Sequence, residues 1–156
     1  MSVLVLCIID TILALDNGLG ADHAAMGWNA WELAGCDITE DLFRQTVDAL
    51  AEGGWREAGY EYINLDDCYM STKRDGNGDL QWADTFPTGS TLGEYVHSKG
   101  FKFGMYLSAG TKTCSLHDPK NRSATGWGSY GYEEQDAAWI AKQGADYLKY
   151  VRVLAG

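Results

Sequence analysis

The hydrophobic and polar positions of this chain fall into two alternating rhythms. Over 39–52, Phe43, Val47 and Leu50 recur at i, i+4 and i+7 with Leu42 beside them, which predicts a helix with one apolar face. Over 91–99, Leu92, Tyr95 and Val96 make the inner face of a second helix, and Thr91 with Glu94 predicts a capping box at its start. Over 132–143, Trp139 and Ile140 anchor a third. Between the helices the period drops to two. In "YINLDD", Ile63 and Leu65 face one way and Asn64 and Asp66 the other. "FGMY" and "DYLKY" are two-sided in the same manner, and "MGWNAW" predicts an earlier strand.

Gly59, Gly100 and Gly144 each stand between a helical pattern and a strand, 41 and 44 residues apart. Each suits a helix C′ position, where the left-handed conformation is wanted. The order β-α-β-α-β-α-β implies a parallel sheet with right-handed crossovers. Polar residues facing inward near the strand ends favour a barrel over a doubly wound sheet. A whole (β/α)8 TIM barrel takes roughly 250 residues and eight such units. The predicted fold is therefore α/β, a partial barrel of about the first four units. Its first and fourth strands would have open edges, which predicts self-association or loose packing of the chain on its own.

Composition narrows the picture. With 156 residues, 46% hydrophobic and 22% charged, the chain fits one soluble domain. A formal net charge of −10 argues against nucleic acid or an anionic membrane as partner. Near the N-terminus, residues 3–9 and 11–15 are apolar around Asp10. This run is too short for a bilayer, which needs about 20 residues. It predicts a secretory signal over 1–14, with a misplaced start codon as the alternative. Of the four cysteines, Cys7 falls in that signal, and an odd number remains, so a fully paired framework is excluded. "NRS" at Asn121 is an N-glycosylation sequon. Together these point to a secreted or vacuolar/lysosomal protein. The three histidines lack metal-ligand spacing, so no metal is expected. "DGNGDL" from Asp75 starts like a calcium loop, but Leu80 stands where glycine is needed and Phe86 where glutamate is needed. A glycine-rich turn is predicted there instead.

In a parallel barrel, active residues gather at the C-terminal strand ends. The first strand ends near Trp28 and Trp31, the second in Asp66 and Asp67, the third near Tyr106, and the fourth in Lys149 and Tyr150. Rings that stack on a pyranose, beside carboxylates that accept from its hydroxyls, make a sugar pocket. The alternatives are core packing for the tryptophans, a loop cap for Asp66 and Asp67, and a solvated strand end for Lys149.

"LDNGLG", "MGWNAW", "GYEYINLDDCY", "YVHSKGFKFGMY", "AGTKTC", "GYEEQDA" and "DYLKY" occur in order between Leu15 and Tyr150. Together they closely resemble the eukaryotic alpha-galactosidases (melibiases) of glycoside hydrolase family 27. That resemblance implies a retaining hydrolase with a barrel catalytic domain, needing no cofactor and releasing terminal alpha-linked galactose from oligosaccharides, galactomannans or glycolipids. It implies that Trp28 walls the galactose site and that Asp66 and Asp67 hold the sugar hydroxyls. Lys149 would bond the sugar near the reacting carbon, Tyr106 would line the pocket, and Cys36 would pair with Cys68. Ala30 and Tyr69 depart from the usual family residues without removing a polar sugar contact.

The serious departure follows "LKY". There the family has an aspartate nucleophile, a residue, and a cysteine; here Val151, Arg152 and Val153 stand. Valine cannot attack, and the general acid/base would come from a later strand. Cys114 is then left unpaired. The expectation is a family glycosidase whose 156 residues are inactive as written. Residues 15–150 would form the N-terminal half-barrel and 151–156 a tail foreign to the family, read through an intron boundary or from a truncated gene. The alternatives are a galactose-binding module and a fragment that pairs through its open edges.

Overall fold

A computed structural model describes residues 25–113, 115 and 127–151. The expected signal with Cys7, the stretch "LDNGLG", His23, Cys114, His117, the Asn121 sequon and residues 152–156 lie outside the described residues.

Four parallel strands form one sheet in the order β1-β2-β3-β4: β1 Gly27–Asn29, β2 Tyr62–Leu65, β3 Lys102–Ser108 and β4 Tyr147–Val151. The helices are α1 Trp31–Ala34, α2 Glu40–Glu52, α3 Leu92–Ser98 and α4 Glu133–Lys142. Consecutive parallel strands joined through helices are the repeated β/α unit of the sequence reading. Among the described residues, β1 and β4 each pair on one side only. No described helix is long and apolar enough to cross a membrane.

The period of two sorts the strands into an apolar face and a polar face. Ile63, Leu65, Phe103, Met105 and Leu107 are buried and meet Phe43 and Val47 of α2, Leu92 and Val96 of α3 and Ile140 of α4 in one core. Phe43 packs edge-on against Phe103 with ring centroids 6.1 Å apart. Each such fully buried side chain contributes about 1.5–3 kcal/mol. The opposite face carries Asn29, Asn64, Gly104, Tyr106, Lys149 and Val151, in register across the sheet. Gly104 has a steric reason: a Cβ there would stand 1.7 Å from Asn64 Oδ1.

Local signals are partly redrawn. Thr39 caps α2 by accepting from the Leu42 amide at 3.2 Å. Thr91 makes no cap of that kind: its hydroxyl donates to the Thr88 carbonyl and accepts from Arg44, so the expected box with Glu94 does not form. Gly100 and Gly144 sit at C′ of their helices with φ of 83° and 79°. Gly59 shares the left-handed φ but closes a separate turn, because α2 already ends at Glu52. Strand β4 runs one residue beyond Tyr150. Val151 pairs with Ser108, and its carbonyl accepts from the Ala109 amide at 2.9 Å.

Candidate active site

The second strand ends in a sharp corner that presents two carboxylates. The Asp67 amide donates to Asp66 Oδ1 at 2.9 Å, and the Cys68 amide donates to Asp67 Oδ1 at 2.7 Å. Each side chain thus satisfies the amide of the next residue, a local side-chain-to-backbone bond of a short carboxylate. Cys68 holds φ of +73°, a conformation that costs a non-glycine residue about 1–3 kcal/mol. The Cys36–Cys68 disulfide ties this corner to the loop after β1, with Cα atoms 5.1 Å apart.

Asp66 and Asp67 are both buried, at 3% and 1% exposure, yet they differ in role. Asp66 Oδ2 accepts from Lys149 Nζ at 2.6 Å and from Asn29 Nδ2 at 2.7 Å. Asp67 Oδ2 accepts from the Ser115 amide at 2.9 Å. Burial pushes the Asp67 carboxyl above the usual carboxylate range; bonds from Thr113, Cys68 and Ser115 pull against that, and the Asp66 charge adds to it.

Trp31, Asp66, Asp67, Tyr106, Lys149 and Val151 line a cavity of about 230 Å³ at the C-terminal ends of the strands. The Lys149 ammonium lies 5.2 Å from the centre of the Tyr106 ring. Tyr69, fully buried, donates its hydroxyl to the Tyr106 carbonyl at 3.0 Å and so braces the third strand end. Burial, and then the Asp67 charge, hold the Tyr69 phenol far above its ordinary value.

Four of the five expected sugar contacts therefore converge: Asp66, Asp67, Tyr106 and Lys149. Trp28 does not. Its ring packs 6.3 Å from Phe43, on the helix side of β1, because it pairs with Ile63 and shares that residue's face. The ring that reaches the cavity is Trp31, at the start of α1. Asn29 escaped the sequence reading as well; its signal was the alternation of β1, which places it on the same face as Asn64.

"DGNGDL" is a turn, as expected. Asp75 Oδ1 accepts from the amides of Asn77 and Asp79 at 2.8 and 2.9 Å, and Gly78 takes φ of 88°. Among the described residues no cluster of His, Cys, Asp or Glu is arranged to hold a metal.

Residues 23–154 match the family described as alpha galactosidase A. The chain belongs to that family. The alpha-galactosidase of Cyamopsis tetragonoloba is 48% identical over 137 residues, which are 86% of this chain and 31% of the relative. Among solved structures, alpha-galactosidase I from Mortierella vinacea superposes with a TM-score of 0.77 at 36% identity, covering 86% of this chain and 32% of that one. The alpha-galactosidase from Saccharomyces cerevisiae with raffinose gives 0.72 at 40% identity, covering 81% and 26%. The chain thus spans about a third of the length of the alpha-galactosidases it matches. Their barrel architecture makes the four parallel strands and intervening helices seen here part of an alpha-galactosidase TIM barrel.

Proposed function

We propose that this protein binds terminal alpha-galactosides in the cavity of Asp66, Lys149, Tyr106 and Trp31, and that the chain as written binds without hydrolysing. Family membership supports the substrate class, and a relative's structure holds raffinose. The observation that carries the second half is Val151. Its side chain lines the cavity two residues after Lys149, where the family resemblance puts the nucleophilic aspartate. Retaining hydrolysis needs two carboxyl groups roughly 5 Å apart, one attacking and one protonating. Asp66 and Asp67 are poor substitutes. Asp66 is held by Lys149 and Asn29, and Asp67 by the adjacent Cys68 amide and the Ser115 amide from beyond β3.

In this reading Trp31 gives the apolar face of the pyranose its wall, and Asp66 and Lys149 take the hydroxyls. The whole-protein activity of the line is release of terminal alpha-D-galactose. The accessible Cys36–Cys68 disulfide supports an extracytoplasmic or vacuolar setting. The single-sided pairing of β1 and β4 supports self-association through sheet edges.

Titration calorimetry with methyl alpha-galactoside, run beside a chromogenic alpha-galactoside assay, tests the proposal. Saturable binding that Asp66→Asn removes, without turnover, is the expected result. A chain with a cooperative melt that shows no saturable heat overturns the binding site. Turnover that Asp66→Asn abolishes overturns the claim of inactivity.

A further inference from the structure

Asn29 bonds to two residues that line the cavity, Trp31 and Asp66. Its Oδ1 accepts from the Trp31 amide at 2.9 Å, and its Nδ2 donates to Asp66 Oδ2 at 2.7 Å. We propose that Asn29 is a positioning residue that locks the aromatic wall and the sugar-binding carboxylate into one unit. The inference rests on the galactoside reading above.

A carboxylate offers about four acceptor sites, two on each oxygen. On Asp66, Oδ2 is filled by Asn29 and Lys149, and Oδ1 takes the Asp67 amide. One site on Oδ1 is left for a substrate hydroxyl. With the Asn29 bond removed, the carboxylate can turn toward Lys149, and the remaining lone pair swings with it. The geometry gives Asn29 a further advantage over a plain cap. Its amide cannot flip, because Oδ1 is already committed to Trp31, so the donor is always the atom aimed at Asp66. The ring wall and the carboxylate then move together, and a sugar meets both at the spacing its ring face and hydroxyls require.

The plain structural role is separable. The Oδ1 contact is a local turn between residues two apart, which serine or aspartate can also make. Only the Nδ2 contact reaches Asp66, across 37 residues of sequence. Three variants divide the two. Asn29→Ser keeps a local acceptor and loses the Nδ2 reach to Asp66. Asn29→Asp keeps the acceptor and sets a second carboxylate against Asp66. Asn29→Ala loses both.

The experiment measures methyl alpha-galactoside affinity by calorimetry between pH 4 and pH 8, with the thermal midpoint of each variant alongside. The proposal expects Asn29→Ser to bind roughly tenfold more weakly when assayed well below its own thermal midpoint, which falls with the lost bond to the buried carboxylate. It expects Asn29→Asp to bind worst near neutrality and to recover in acid, where the two facing carboxylates share a proton. Wild-type affinity in Asn29→Ser, or no acid recovery in Asn29→Asp beyond that of the wild type, overturns it. If the wild-type chain itself does not bind, the galactoside reading fails, and that result is read from the wild type alone.

Discussion

Two carboxylate–cation pairs, Arg74 with Asp136 and Lys149 with Asp66, differ in what they leave unspent. Arg74 and Asp136 meet bidentately at 2.6 and 2.7 Å, with side chains 9% and 1% exposed. The same two guanidinium nitrogens also donate to the carbonyls of Gly78 and Gly128, and the Tyr132 ring covers the group at 4.1 Å. Every donor on those nitrogens is used. Lys149 and Asp66 meet through one bond at 2.6 Å, with the lysine side chain 38% exposed beside a cavity. An ammonium has three donors, so this pair keeps capacity for a ligand. The first pair staples the excursion that bridges Met70 to Trp82 onto α4; the second is the pair that the proposed function assigns to a ligand. Charge chemistry alone does not separate a staple from a site, but the remaining valence does.

The largest expected effect breaks the staple. Asp136→Asn leaves the Arg74 charge buried against carbonyls and one ring, and breaking a buried pair by removing one partner costs about 3–5 kcal/mol. Urea unfolding of the variant is expected to show a loss of that order, with residual galactoside affinity falling only as the folded fraction falls. A loss below about 1 kcal/mol would place this pair with ordinary surface bridges, and the contrast would collapse.

Lys149→Met sharpens the other side. The methionine keeps the length of the stem, but it leaves the buried Asp66 carboxylate without its half-exposed cation. The expected result is at least a tenfold loss of galactoside affinity, as loss of a charge-assisted bond implies. The thermal midpoint should fall less than in Asp136→Asn, because Asp66 keeps its bonds from Asn29 Nδ2 and the Asp67 amide beside an open cavity. A large fall in midpoint at intact affinity would make Lys149 a second staple.

Much of this was legible in the chain. Period-two alternation in "YINLDD" placed Asn64 and Asp66 on the cavity face, and the helical face of Phe43 and Val47 placed the core. What failed were decisions within a few residues of an element's end. Trp28 and Trp31 are three apart, and only the point where β1 stops and α1 begins decides which ring reaches the cavity. Thr91 looked like a cap because its sequence neighbours fit one, but Arg44, 47 residues away, claims its hydroxyl. The Arg74–Asp136 pair, 62 residues apart, leaves no local pattern at all, since each partner reads as a solvated charge until the fold brings them together.

The smallest expected effect concerns the acid limb of stability, where two buried carboxyls pull in opposite directions. Asp67 has its folded value raised, chiefly by burial. The stability it confers is full below its unfolded value and fades as pH rises through the raised one. Glu40 is also desolvated by burial, but the Thr88 hydroxyl and amide and the Arg44 guanidinium outweigh that and hold it below its ordinary 4.5. Its contribution is full above the unfolded value and is lost as pH falls through the lowered one. Neither group can impose a slope steeper than about 1.4 kcal/mol per pH unit. Urea midpoints from pH 3 to pH 7 should therefore flatten on the alkaline side in Asp67→Asn and on the acid side in Glu40→Gln. If Asp67→Asn instead flattens the acid side, Asp67 is a stabilised carboxylate. It would then belong with Asp66 as a charge poised for a ligand, and the division of labour at the strand end would have to be redrawn.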